Sequence, residues 1–203
     1  RFQELANAVL LLAPEDAKIL EFGVSEFSRL YKHLRPSCSL VTADRPAGPD
    51  YPGFTPERSQ KISQCDDHVS IDLEEDTSPA WKNFADQGPF DLIVFAEVLE
   101  HLLAEPRSVL QRLIGMLSSR GLLYLTTPNF FRQANQQAWA EQRNPQPFFP
   151  GRSANWDAHH HFREYSMREL LELLHSSGGK VATCCFSDCW DDLKDPRLQE
   201  RPE

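Results

Sequence analysis

Nothing in the sequence approaches the unbroken run of about 18 apolar residues that a membrane-spanning helix takes, so no membrane span is expected. The opening stretch, Arg1 to Leu12, is amphipathic and lacks the layout of a signal peptide, which makes the cytoplasm the expected location. Basic residues are outnumbered, 21 Lys and Arg against 30 Asp and Glu, for a formal charge of −9. Such a balance lacks the basic footprint on which nucleic-acid binding draws. The densest basic cluster, Arg29, Lys32, His33 and Arg35, reads as one solvated helix face. Cysteines are few and odd in number: Cys38, Cys65, Cys184, Cys185 and Cys189 offer no paired framework, so reduced thiols are expected. The cluster at 184–189 lacks a second ligand pair and reads as buried strand thiols rather than a metal site. Internal repeats and domain boundaries are missing too. The 203 residues, 40% hydrophobic and 25% charged, fit one domain over residues 1–203 with a sizeable core.

What is present is an alternation of short apolar runs with amphipathic stretches, the mark of an α/β fold. Strands are expected at 17–23, 39–44, 68–72, 90–96, 121–127 and 180–186. The run at 90–96, FDLIVFA, is apolar enough to be buried on both faces of a parallel sheet. Helices are expected at 25–34, 78–86, 106–117 and from Ser166 through Leu174, where Glu169 completes a capping box. Residues 46–60, with four prolines and two glycines, read as loop. A long polar and aromatic insertion, 128–164, follows the fifth strand.

Three strand ends carry candidate ligand groups. Glu21-Phe-Gly23-Val-Ser25 is a strand end, a tight turn and a helix start, where backbone N–H groups can receive a ligand. It holds one glycine of the G-x-G-x-x-G pattern, which speaks against a nicotinamide dehydrogenase, and alone it fits an ordinary turn. Asp44 ends the second strand, 23 residues after Glu21, where a carboxylate can accept both hydroxyl protons of a ribose; a turn-capping aspartate is the plainer alternative. Asp72 ends the third strand, beside a Glu74-Glu75-Asp76 run that reads as solvated.

The fourth strand makes the pattern specific. FDLIVFAEVLEHL, then LLYLTTPN, then HFREYSMRELLELLHSSG, in this order, resemble the class I S-adenosylmethionine-dependent methyltransferases, in particular their small-molecule and glycan-modifying branch. The resemblance spans about residues 17 to 186. It implies a doubly wound, mostly parallel, Rossmann-like sheet with helices on both faces, and S-adenosylmethionine as cofactor. It places Glu21 and Gly23, with Ser25 in the same turn, along the methionine part of the cofactor, and Asp44 on its ribose. Asp72 and Leu73 would flank the adenine, with Ala96 and Glu97 beside the sulfonium. Departures from the family pattern are the glycine-poor turn, a proline-rich loop in place of the helix after the second strand, and no evident seventh strand.

Methyl transfer to oxygen is an in-line displacement in which positioning does most of the work and a general base helps. His101 and His161 are the expected catalytic pair if the insertion folds back over the crevice. A structural role for His101 is an equal alternative, and His159 and His160 read as exposed loop. Glu97, Glu100 and His101, at i, i+3 and i+4, with His161 resemble the metal site of the small-RNA 2′-O-methyltransferases. E-x-x-E-H is common across the broad family, however, and no metal is expected. The insertion's aromatics, Phe130, Phe131, Trp139, Phe148, Phe149 and Trp156, suit a lid over a planar or sugar-like acceptor, or else a packed cap. The leading function is methyl transfer to a small-molecule or glycan hydroxyl. An RNA 2′-O-methyltransferase using that metal is one alternative, and a catalytically inactive scaffold, suggested by the degenerate turn, is another.

Overall fold

The computed structural model describes residues 2–47, 53–103, 105–145 and 161–187. Five parallel strands form one sheet in the order β3-β2-β1-β4-β5: β1 (Lys18–Phe22), β2 (Ser39–Asp44), β3 (Asp67–Ser70), β4 (Phe90–Ala96) and β5 (Leu117–Thr126). Before them comes α1 (Phe2–Leu12), between them run α2 (Arg29–Leu34), α3 (Pro56–Ser63), α4 (Pro79–Gln87) and α5 (Arg107–Gly115), and after them α6 (Gln133–Ala140) and α7 (Met167–Ser176). Order reverses between β1 and β4, so the carboxyl ends of these two strands flank a crevice of the kind in which ligands of open α/β sheets bind.

Alternation along each buried strand explains two cores. Leu20, Phe22, Val41, Ala43, Ile93 and Phe95 point to one face and meet Trp81 and Phe84 of α4 and Val109, Leu110 and Leu113 of α5. Ile19, Leu40, Leu92 and Val94 point to the other, where Leu5 and Val9 of α1 and Tyr31 of α2 cover them. Each fully buried Leu, Ile or Phe removes surface worth roughly 1.5–3 kcal/mol, which favours the mostly apolar runs of these central strands, interrupted within the sheet by the buried Glu21 and Thr42.

Several expectations need correction. Residues 56–60 are not loop but the first turns of α3. Pro56 sits where its missing N–H costs nothing, and the Thr55 side chain accepts from the Arg58 N–H. Proline density alone hid a helix start, and the helix after the second strand is therefore present. Strand β5 begins four residues early, at Leu117, through an irregularity opposite Phe90 and Leu92. Gly121 makes that possible, since a Cβ there would stand 2.5 Å from the Phe90 carbonyl oxygen. The stretch 180–186 is exposed, irregular chain rather than a sixth strand, and it pairs with no strand among the described residues. Cys184 and Cys185 are accordingly exposed, whereas Cys38 and Cys65 are buried. Within the insertion, 133–140 is helical, and Asn129 bridges to Tyr165. Phe148, Phe149, Trp156, His159, His160 and Cys189 lie outside the described residues.

Candidate active site

Strand ends bring the expected residues to one edge of the sheet. At the end of β1, Gly23 turns the chain with φ of 87°, a left-handed conformation in which glycine is unstrained, and donates its N–H to the Ala43 carbonyl at 2.9 Å. Open space lies where a Cβ on Gly23 would stand. Asp44, at the end of β2, accepts the Val24 N–H at 3.0 Å and the Arg45 N–H at 2.7 Å, so its carboxylate faces the glycine turn. Ser25 closes that turn by donating its N–H to the Ser28 hydroxyl at 3.2 Å.

Glu21 is buried against α2 rather than opened to the crevice. Tyr31 donates its hydroxyl to Oε1 at 2.7 Å, while Oε2 is buried without a partner. Burial raises its pKa to about 7, against hydrogen bonds from Ser28 and Tyr31 that pull it down. Asp72 is exposed and accepts the Glu74 N–H at 3.0 Å, a local turn, while Leu73 packs against the main core.

Past β4 the backbone bends sharply. Ala96 is half-buried, and Glu97 takes φ of 58°, costly for a residue with a Cβ. Two bonds to β5 hold it there: Glu97 N–H to the Thr126 carbonyl at 2.9 Å, and the Thr126 hydroxyl to Glu97 Oε1 at 2.7 Å. The bend starts a short 3-10 turn, Leu99–His101, that buries Glu100 completely. Thr127 donates to Glu100 Oε2 at 3.0 Å, and Oε1 is left buried without a hydrogen-bond partner. Burial, reinforced by the nearby Glu97 charge, raises the Glu100 pKa to about 7.

The returning chain completes the cluster. Phe162 donates its N–H to the Glu100 carbonyl at 2.8 Å, which sets His161 against His101 with ring centroids 5.1 Å apart and nearly perpendicular. His101 Nε2 lies 3.9 Å from Glu100 Oε1. One ligand atom from each of Glu100, His101 and His161 lies within 4.8 Å of the others. Glu97, counted with these three in the sequence pattern, is not part of this group. His161 Nδ1 stands 3.1 Å from Glu164 Oε1, the contact that chiefly raises the His161 pKa. Glu164 was not singled out from the sequence; no spacing rule links it to Arg132, 32 residues earlier, which it meets at 2.7 Å. Beside this network Phe130, Phe131 and Trp139 form a ring cluster, with Phe131 54% and Trp139 37% exposed.

A family of known proteins shares this frame: the model for a methyltransferase domain matches residues 1–183. The chain belongs to the methyltransferase family. No curated protein matches the sequence. Among solved structures, an O-methyltransferase family protein from Burkholderia thailandensis superposes with a TM-score of 0.56 at 13% identity, over 87% of this chain and 50% of that one. The mitomycin 7-O-methyltransferase MmcR gives 0.53 at 15% identity over 87% and 47%, and the YcgJ protein from Bacillus subtilis 0.53 at 13% over 87% and 66%. At these identities the likeness is one of fold. This methyltransferase-family chain spans about half the length of the first two of these relatives.

Proposed function

We propose that this chain uses S-adenosylmethionine to methylate a hydroxyl of a small-molecule or glycan acceptor. The observation that carries the reading is the meeting of His101 and His161, 60 residues apart in sequence, beside the Ala96–Glu97 bend at the crevice edge. The residues at that edge fit the donor: an open cradle over Gly23 and a strand-end carboxylate, Asp44, turned toward it. In this reading Gly23 and Ser25 form the methionine end of the site, with Glu21 buried behind them at the end of β1, and Asp44 holds the ribose. Asp72 and Leu73 flank the adenine, and Ala96 and Glu97 border the sulfonium. When bound, S-adenosylmethionine supplies an electrophilic methyl group. The chain's own part is to hold the acceptor oxygen in line and take its proton on a histidine nitrogen. His161 and His101 are the bases in reach. The exposed rings of Phe131 and Trp139 suit a lid over a planar or sugar acceptor.

A second reading is favoured by the unpartnered Glu100 Oε1, because a divalent cation held by Glu100, His101 and His161 would satisfy it. Adjacent ligand atoms around such an ion stand about 2.8–3.4 Å apart, given bonds of about 2 Å, so the 3.9 Å between Glu100 Oε1 and His101 Nε2 would have to close by about half an ångström on binding. An RNA 2′-hydroxyl acceptor belongs to this second reading, although the charge of −9 opposes it. Labelled S-adenosylmethionine, offered with a panel of hydroxyl acceptors to the parent chain and to His161→Ala, tests the proposal. Transfer should fall at least tenfold in the variant with donor binding intact, and unchanged transfer would remove His161 from the site. Insensitivity to EDTA favours the histidine base; loss with EDTA and rescue by manganese favours the metal.

A further inference from the structure

Behind His161 lies a polar network centred on Glu164, which is only 6% exposed. Its Oε1 accepts from Arg132 Nη2 at 2.7 Å and lies 3.1 Å from His161 Nδ1. Its Oε2 accepts from Arg132 Nε at 3.2 Å and Asn135 Nδ2 at 2.7 Å. Four nitrogens thus converge on two oxygens, the arrangement of an ionised carboxylate held by charge-assisted bonds. Burial alone would raise its pKa, but hydrogen bonds from His161, Arg132 and Asn135 hold it at about 2. An ionised carboxylate has no proton to donate, so the bond requires the hydrogen on Nδ1 of His161. Neutral His161 then carries a bare Nε2.

We propose that Glu164 is a positioning residue that fixes the tautomer and orientation of His161, so that Nε2 is the nitrogen presented to whatever the site binds. Arg132 and Asn135, from the segment leading into and along α6, hold Glu164 in turn, which ties the aromatic insertion to the site histidine. The backbone bonds from Phe162 and Arg163 to the Glu100 carbonyl fix the same segment from the other side, at 2.8 and 3.4 Å. The titratable and charged groups around the imidazole are Glu100 and His101 on the turn after β4, Arg132 before α6, and Glu164 itself. The inference deepens the histidine-site reading above and rests on it for its bearing on catalysis, but its geometry does not depend on any acceptor.

Nitrogen-15 NMR of histidine-labelled protein tests it, with the His161 resonances identified by their loss in His161→Ala. Neutral His161 should carry its hydrogen on Nδ1. Glu164→Gln should release the tautomer into a mixture of the two forms, because an amide can offer the ring either an acceptor or a donor. Arg132→Met, which leaves the carboxylate in place, should keep the hydrogen on Nδ1. A merely structural Arg132–Glu164 tie predicts that both variants, which break the same ion pair, change the tautomer alike. That result, or a hydrogen on Nε2 in the parent chain, overturns the proposal. Should Glu164→Gln fail to fold, the parent tautomer and Arg132→Met still decide. Because this readout uses no donor or acceptor, a failure of methyl transfer alone counts against the function and leaves the positioning role standing.

Discussion

At the residue scale, two of the three buried glutamates, Glu21 and Glu164, respond to pH in opposite directions. Glu21 has a pKa raised to about 7 by burial, so the folded chain holds a proton there that the unfolded chain gives up near 4.5. Stability from this group is therefore fully present below 4.5 and is lost as pH rises toward 7, a loss of roughly 3 kcal/mol by proton linkage. Glu164 behaves oppositely: its contribution is present above the ordinary glutamate value and is lost as pH falls toward about 2. Thermal melts should show that Glu21→Gln raises Tm over the parent at pH 8 and changes it little at pH 4.5; equal effects at both values would contradict the assignment. Asp44→Ala should weaken S-adenosylhomocysteine binding at least tenfold, about 1.4 kcal/mol, as read by calorimetry. Parent-like affinity in that variant would take Asp44 out of the cofactor site. At this scale Asp44, His101 and His161 are legible in the sequence as candidates, because strand ends and rare residue types stand out. Glu164 was not legible, since its meaning lies in partners brought to it by the returning chain.

Among elements, those whose signals are local were read well. Strands β2 and β4 match their apolar runs residue for residue, and α7 starts at the Ser166–Glu169 capping box: the Glu169 N–H donates to Ser166 Oγ at 3.3 Å, and the Ser166 N–H to Glu169 Oε2 at 2.9 Å. Ser166→Ala should cost roughly 1 kcal/mol of stability through loss of that cap, measured by urea unfolding, with no change in slope. A cost near zero would mean that α7 is held by Leu170, Leu173 and Leu174 packing alone. Elements that depend on distant partners are not legible in the sequence. The apolar stretch 180–186 has strand composition but, among the described residues, no neighbour strand to bond, and composition alone does not supply one. The start of β5 depends on Gly121 passing close under Phe90, so Gly121→Ala should destabilise by about 1–3 kcal/mol through overpacking against backbone. Chemical denaturation showing no loss would place the irregularity elsewhere.

For the whole molecule, the order β3-β2-β1-β4-β5 with both faces covered follows from buried apolar strands alternating with helices, and it sets the crevice between β1 and β4. A net charge of −9 offers the RNA backbone no general attraction, and gel-shift titration with duplex and single-stranded RNA at low salt should show no complex. A tight, salt-sensitive complex would instead favour the metal-bearing RNA reading. The central claim is that a turn holding one glycine, with Asp44 behind it, still cradles S-adenosylmethionine. Calorimetric titration with S-adenosylmethionine and S-adenosylhomocysteine, with and without manganese, tests this most directly. The account predicts micromolar binding of both and a stability gain of about 2.7 kcal/mol at a hundredfold excess over Kd. No heat and no thermal stabilisation with either ligand would contradict it and leave the chain a methyltransferase-like scaffold.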